Sequence, residues 1–295
     1  MRILYATDGS EGGLTPARFL ASLPLPQNQD VYLHIVTVVD HDNTEADGSP
    51  ALAAAETALG SFPAHITRET AQGDSTSEIV DALLQIADAD ADLDFITVGA
   101  SGQSAIGRFF LGSVAESAAR YARQPVLITR PPSGPLHEIV VGLDGSDCSR
   151  AAAEFIASRF PLPTDCVLRL VSVIPQPFFD LVGNPMYSGP PNYLTLELIN
   201  NQARKKASDN ADSLADILRS TSGQYSVEVE PVVLGNPAVE LVRIAQERGA
   251  ELIVVGSHGL TGIDRFLLGS VSERVLRHAH CSVLVVKQRI TGKGR

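Results

Sequence analysis

The chain has 295 residues, 44% of them hydrophobic, enough for two buried cores at roughly 150 residues per domain. A formal charge of −11 without any basic stripe excludes a duplex nucleic-acid surface, which needs clustered cations to displace phosphate counterions. No stretch approaches the ~20 uninterrupted apolar residues of a membrane span, MRILYATDGS lacks a charged-then-apolar leader, and Cys148, Cys166 and Cys281 are scattered like reduced thiols, so a soluble cytoplasmic protein is expected.

Short apolar runs rich in β-branched residues predict buried parallel strands at 3–6, 31–39, 95–98 and 126–128, with a further strand at 65–70. Helical patterns at 13–22, 52–59, 77–87 and 113–121 alternate with them, which argues for a doubly wound α/β sheet. Asp88, Asp90, Asp92 and Asp94 imitate a calcium loop, but Leu93 and Gly99 fall where that loop needs glycine and glutamate, leaving a solvated helix end. The turn cluster PPSGP at 131–135 reads as a short stiff linker.

The second half repeats the plan, with strands expected at 139–143, 167–173, 226–233, 252–255 and 283–286, and helices at 149–159, 194–219, 237–248 and 270–278. Residues 175–193, proline-rich with several aromatics, form an insertion after its second strand, followed by a longer helix. His278, His280 and Cys281 lie at a helix-to-strand turn with no fourth ligand in view, so no metal site is expected there.

The two halves are copies of one unit. GASGQSAIGRFFLGS and GSHGLTGIDRFLLGS both fit G-x2-G-x9-G-S at a constant offset (256 − 99 = 157), with Arg108 and Arg265 in register. YATDGS answers VGLDGS at a smaller offset (144 − 8 = 136), so the second copy carries 21 extra residues in between (157 − 136 = 21). Each glycine segment joins a strand to a helix, where exposed backbone amides and the helix dipole favour an anion such as phosphate. A second reading stays open, because S-x-x-E at Ser113 to Glu116 and at Ser270 to Glu273 also matches a capping box that satisfies the helix start without a ligand. Asp8 and Asp144, at the end of each first strand, lie at the topological switch point, where a carboxylate can accept a ligand hydrogen bond or merely shape the turn. No Gly-Lys-Ser/Thr is present, so the phosphate-gripping lysine of a P-loop is missing and ATP turnover is expected to be absent or slow.

These motifs, together with final strands such as CSVLVV, resemble the universal stress proteins, here in tandem over nearly the whole chain. The resemblance implies two Rossmann-like five-stranded parallel sheets of order 3-2-1-4-5, spanning 1–130 and 136–295, whose last strands, 126–129 and 283–286, meet edge to edge as a pseudo-dimer. It implies ATP, with or without Mg2+, across strands one, two and four of each half. Asp144 and Val173 would frame adenine, while Gly256, Gly259, Gly269 and Ser270, followed by Val271, would hold ribose and phosphates. Asp8, Val38, Gly99, Gly102, Gly112, Ser113 and Val114 match them in the first half. His258 lies inside the second loop within reach of phosphate, although Ser101 stands in its place in the first. The function so implied is a nucleotide-dependent stress-response regulator or sensor read by an unidentified protein partner, with further pairing into a homodimer open. Two rivals stand beside it: an ATPase or AMP-forming enzyme, and a ligand-free scaffold whose first half is the relic.

Overall fold

The computed structural model describes residues 1–25, 30–40, 48–102, 111–131, 136–175, 193–221, 225–259 and 268–287. The first half comprises β1 (Arg2–Ala6), α1 (Thr15–Ala21), β2 (Tyr32–Val39), α2 (Ser49–Leu59), β3 (His65–Gln72), α3 (Thr76–Ala89), β4 (Phe95–Gly99), α4 (Ser113–Tyr121) and β5 (Val126–Thr129). The second comprises β6 (Glu138–Leu143), α5 (Asp147–Ser158), β7 (Val167–Ile174), α6 (Tyr193–Thr221), β8 (Ser226–Val229), β9 (Val233–Leu234), α7 (Pro237–Arg248), β10 (Leu252–Gly256), α8 (Ser270–His278) and β11 (Ser282–Val286). Most of residues 175–193 and of the 131–135 linker lie outside the described residues.

The strands run β3-β2-β1-β4-β5-β11-β10-β6-β7-β8 in one sheet, so each half has the order 3-2-1-4-5. All pairs are parallel except β5 with β11, which is antiparallel. There Leu127 faces Leu284, and their separation equals the repeat offset (284 − 127 = 157), so a pseudo-two-fold axis passes between these two leucines. Alternate strand residues feed two apolar layers. Tyr5, Leu33, Leu127, Ile139, Leu168 and Leu284 pack under α1, α2, α5 and α6. Leu4, Val36, Val126, Val140, Val171 and Val283 pack under α3, α4, α7 and α8. Both layers cross the junction, where Phe160 of the second half rests against Phe19 and Phe95 of the first, with ring centroids 6.5 and 5.7 Å apart.

Local chemistry explains most element ends. Asn236 accepts hydrogen bonds from the amides of Ala238 and Val239, Pro237 opens α7, and Gly249 closes it at φ 67°. The single strand expected at 226–233 is instead two, β8 and β9, with Pro231 between them. Proline has no N–H to give a ladder, and β9 pairs instead with the far end of β7 through Val173 and Val233. Helix α6 is amphipathic only in its second half, where Ala211, Leu214, Ala215 and Leu218 are buried at helical spacing. Among its described side chains before Ala211 none is buried, and Leu198 and Ile199 are 58% and 48% exposed. No described helix is long and apolar enough to cross a membrane.

Charged residues bind α4 to α8 across the axis. Glu116 pairs with Arg277 at 2.6 Å and Arg120 with Glu273 at 3.7 Å, a ring closed by Glu116 with Arg120 and Glu273 with Arg277. Beneath the ring, Arg130 donates to the carbonyl of Leu276 at 2.7 Å and Lys287 to that of Arg120 at 2.8 Å. Each buried cation thus meets the negative end of a helix dipole. Burial pulls the pKa of Lys287 down to about 8, against 10.5 for a free side chain. The folded state therefore holds this proton less tightly than the unfolded chain, and the contribution of Lys287 to stability rises as pH climbs from about 8 to about 10.5. Urea unfolding of the native chain and of Lys287→Met should show the native chain gaining relative stability across that window. A difference that does not change with pH would contradict the burial account.

Candidate functional site

At the end of β1 and of β6 the chain turns through Asp-Gly-Ser. Gly9 and Gly145 sit at φ 72° and 80°, the left-handed region where a Cβ is strained. One carboxylate oxygen holds each turn: Asp8 Oδ1 accepts from the Ser10 amide at 3.0 Å, and Asp144 Oδ1 from the Ser146 amide at 2.9 Å. The other oxygen faces the glycine segment, because a Cβ placed on Gly102 or on Gly259 would come within 2.7 Å of Asp8 Oδ2 or Asp144 Oδ2 respectively. Both readings of the aspartates thus have a geometric basis, one on each oxygen.

The third glycines close the segments. Gly112 donates to the Ala100 carbonyl and Gly269 to the Ser257 carbonyl, each at 2.7 Å. They are also the residues preceding the helices, at ψ 149°, and neither helix start has a side-chain cap. The capping-box reading is therefore corrected: Ser113 and Ser270 are the first helical residues rather than caps. The glutamates that would complete the box, Glu116 and Glu273, belong instead to the charged ring at the junction. A serine cap does form elsewhere in the chain, where Ser75 accepts from the Glu78 amide at the start of α3. The first turns of α4 and α8 thus keep amides oriented beside the glycine segments, with the positive end of each helix dipole behind them.

The first glycines have a packing explanation. A Cβ on Gly99 would collide with the Gly12 carbonyl, and one on Gly256 would lie 2.7 Å from the backbone of Cys148. The ladders end at Ala6 with Val36 and at Leu143 with Ser172, so Val38 and Val173 lie two residues and one residue past the last pairs, at the strand ends from which Asp8 and Asp144 also leave the sheet. Val114 and Val271 are half-buried in the first turns of α4 and α8. Asp, valine, second glycine and helix start therefore converge at the C-terminal edge of the sheet in both halves, where open α/β sheets bind ligands. His258 turns its Nδ1 to Ser257 Oγ at 2.9 Å, and its buried Nε2 has no hydrogen-bond partner among the described residues. Burial, then the nearby Lys287, lowers its pKa and so favours the neutral imidazole. Arg108 and Arg265 lie outside the described residues. Among the described residues no group of three or more metal-ligating side chains gathers, so His278, His280 and Cys281 form no such cluster.

The two edges are not equivalent. In the first half Gly12 and Gly13 pass so close to Ser101 and to Asp8 Oδ1 that neither could carry a Cβ, Ser10 Oγ also donates to Asp8 Oδ1 at 2.6 Å, and Asp8 is half-buried. In the second half α5 begins directly after the turn, and Asp144 is exposed. The helix crossing the turn differs as well: Ala51 of α2 approaches Gly9, whereas Asn210 of α6 approaches Gly145, its Nδ2 3.2 Å from a Cβ built there. Asn210 lies 17 residues into its helix (210 − 193 = 17) and Ala51 only two (51 − 49 = 2), so α6 projects beyond the second edge by about four extra turns. Sequence reading missed Asn210, since helical periodicity gives the length of α6 but not which turn passes over the strand ends.

A family model described as the universal stress protein family matches residues 1–130 and again 135–287. The chain belongs to the universal stress protein family. It is 34% identical over 155 residues to a universal stress protein of Methanocaldococcus jannaschii, covering 51% of this chain and 82% of that one. It is 31% identical over 238 residues to one of Mycobacterium tuberculosis, covering 76% of this chain and 66% of the relative. Among solved structures, a universal stress protein from Archaeoglobus fulgidus superposes with a TM-score of 0.63 at 18% identity, covering 98% of each chain, a likeness of fold.

The glycines of the two segments thus divide into those that face backbone, Gly99 and Gly256, and those that face an aspartate oxygen, Gly102 and Gly259. Gly256→Ala forces a Cβ onto backbone and should destabilise the protein by about 1–3 kcal/mol. Gly259→Ala meets only the end of an exposed carboxylate and should cost less than about 1 kcal/mol. Urea midpoints of the two variants compare them directly, and equal losses would contradict the division.

Proposed function

We propose that this universal stress protein is a cytoplasmic, nucleotide-dependent stress-response regulator that binds ATP at the C-terminal edge of its sheet, above all in the second half. The observation carrying this reading is the uncapped start of α8 beside the glycine segment, faced by the outer oxygen of Asp144. Phosphate oxygens would accept from amides around Gly269, Ser270 and Val271, where the helix dipole adds roughly half a positive charge. Gly259 keeps the loop free of a Cβ so that the backbone can approach the ligand. Val173 and Asp144 would frame the adenine and sugar, with the Asp144 carboxylate accepting from a ligand N–H or hydroxyl. Mg2+ would arrive with the phosphates, keeping much of its own hydration.

Hydrolysis is absent or slow in this account, because the chain has no P-loop lysine to neutralise the charge that develops around the β- and γ-phosphates. The bound state is then a signal for a protein partner. The scaffold reading has a specific observation in its favour only in the first half, where Asp8 is half-buried and also accepts from Ser10 Oγ.

Denaturing freshly purified protein and quantifying released nucleotide by chromatography and mass spectrometry tests the proposal. We expect at least one ATP per chain, lost in Gly259→Val, and a further one lost in Gly102→Val if the first edge is also filled. No nucleotide, even after incubation with ATP and magnesium, would contradict it, and steady turnover at several per second would replace the regulator with an enzyme.

A further inference from the structure

We propose that the two nucleotide sites are energetically coupled through the crossed cations Lys287 and Arg130, each linking one half's glycine segment to the helix that heads the other half's site. This inference rests on the nucleotide reading above, but its geometry is separate. The two residues are in register with the repeat (287 − 130 = 157), and the helical carbonyls they reach, Arg120 and Leu276, are one residue from register (276 − 120 = 156) in the last turns of matching helices.

The first connection starts at the second site. Ser257, which accepts the hydrogen bond closing the glycine segment, donates its own amide to the Val286 carbonyl at 2.9 Å. Ser257 and its neighbour His258 therefore lie alongside Lys287. The ammonium of Lys287 crosses the axis to the Arg120 carbonyl in the last turn of α4, whose first turn heads the first site. The mirror connection is built the same way. Ala100 closes the first segment, donates its amide to the Thr129 carbonyl at 2.9 Å and so lies beside Arg130, whose guanidinium reaches the Leu276 carbonyl in α8.

Three features make these connections carry energy. Lys287 and Arg130 are only 9% and 3% exposed, so their fields are weakly screened by solvent ions. Each acts on the negative end of the dipole whose positive end would hold phosphate, so a cation there and an anion at the other end act on one aligned row of peptides. Helices α4 and α8 are short, nine residues each, and the charged ring fastens them to one another, so a displacement at one end reaches the other. Ligand at either site would shift its glycine segment, then the cation beside it, then the opposite helix. Linkage requires the effect to be equal in both directions.

The test uses the full chain and ATP with magnesium. In Gly102→Val the first site is blocked, and adding ATP should slow amide hydrogen exchange over 113–121, a helix the ligand does not touch. ATP affinity at the second site should also differ about five-fold or more between the native chain and Gly102→Val, provided the native first site fills. Lys287→Met should abolish the exchange effect in 113–121 and reduce the affinity difference, the Arg130 connection remaining, while leaving ATP bound at the second site; Lys287→Arg, which installs the residue used by the first half, should keep both effects. ATP binding to Gly102→Val with unchanged exchange in α4 overturns the coupling and leaves the nucleotide reading intact. Absence of ATP binding to the native chain removes the nucleotide reading and the coupling together.

Discussion

The antiparallel pairing of β5 with β11 about Leu127 and Leu284 is the constraint on which the rest of the molecule depends. It joins two parallel sheets into one, removes an exposed edge from each half and lets both apolar layers run through the join. It also sets α4 and α8 side by side, so that Glu116 and Glu273 are drawn to arginines across the axis instead of back to their own helix starts. The amides beside each glycine segment are left uncapped because the residues preceding the helices, Gly112 and Gly269, have no side chain.

The junction has an electrostatic cost. Arg130 and Lys287 are buried, and desolvation lowers the pKa of both. Helix-end carbonyls offset that cost at the positions where a partial negative charge accumulates. An apolar pair would have filled the same space more cheaply, so a role beyond stability is the simplest reason for two matched cations.

Much of this is legible in the sequence. The offset of 157 that aligns the glycine segments also aligns Glu116 with Glu273, Arg120 with Arg277 and Leu127 with Leu284, so the order of residues alone carries the pseudo-symmetry. The β-branched runs mark the strands because parallel strands are buried on both faces. Three things are hidden, each a matter of tertiary context. The S-x-x-E pattern looks like a cap because capping is local, whereas the competing arginines come from 161 and 153 residues away (277 − 116 = 161; 273 − 120 = 153). Residues 226–233 look like one strand because their apolar content outweighs the missing N–H of Pro231. The close passage of Gly12 and Gly13 past Ser101 and Asp8 is invisible because glycine has no pattern of its own, and only the backbone path shows that neither position could carry a Cβ.

The most direct test of the central claim, that ligand binds at the C-terminal strand edge, is photolabelling with 8-azido-ATP followed by peptide mapping. The account predicts ATP-competed label in the segment 167–174 or in the glycine segment after β10, with or without its first-half counterparts. Label concentrated at the opposite edge, in the cleft lined by Arg2, Tyr32, His34 and His65, or label that excess ATP fails to displace, would contradict it.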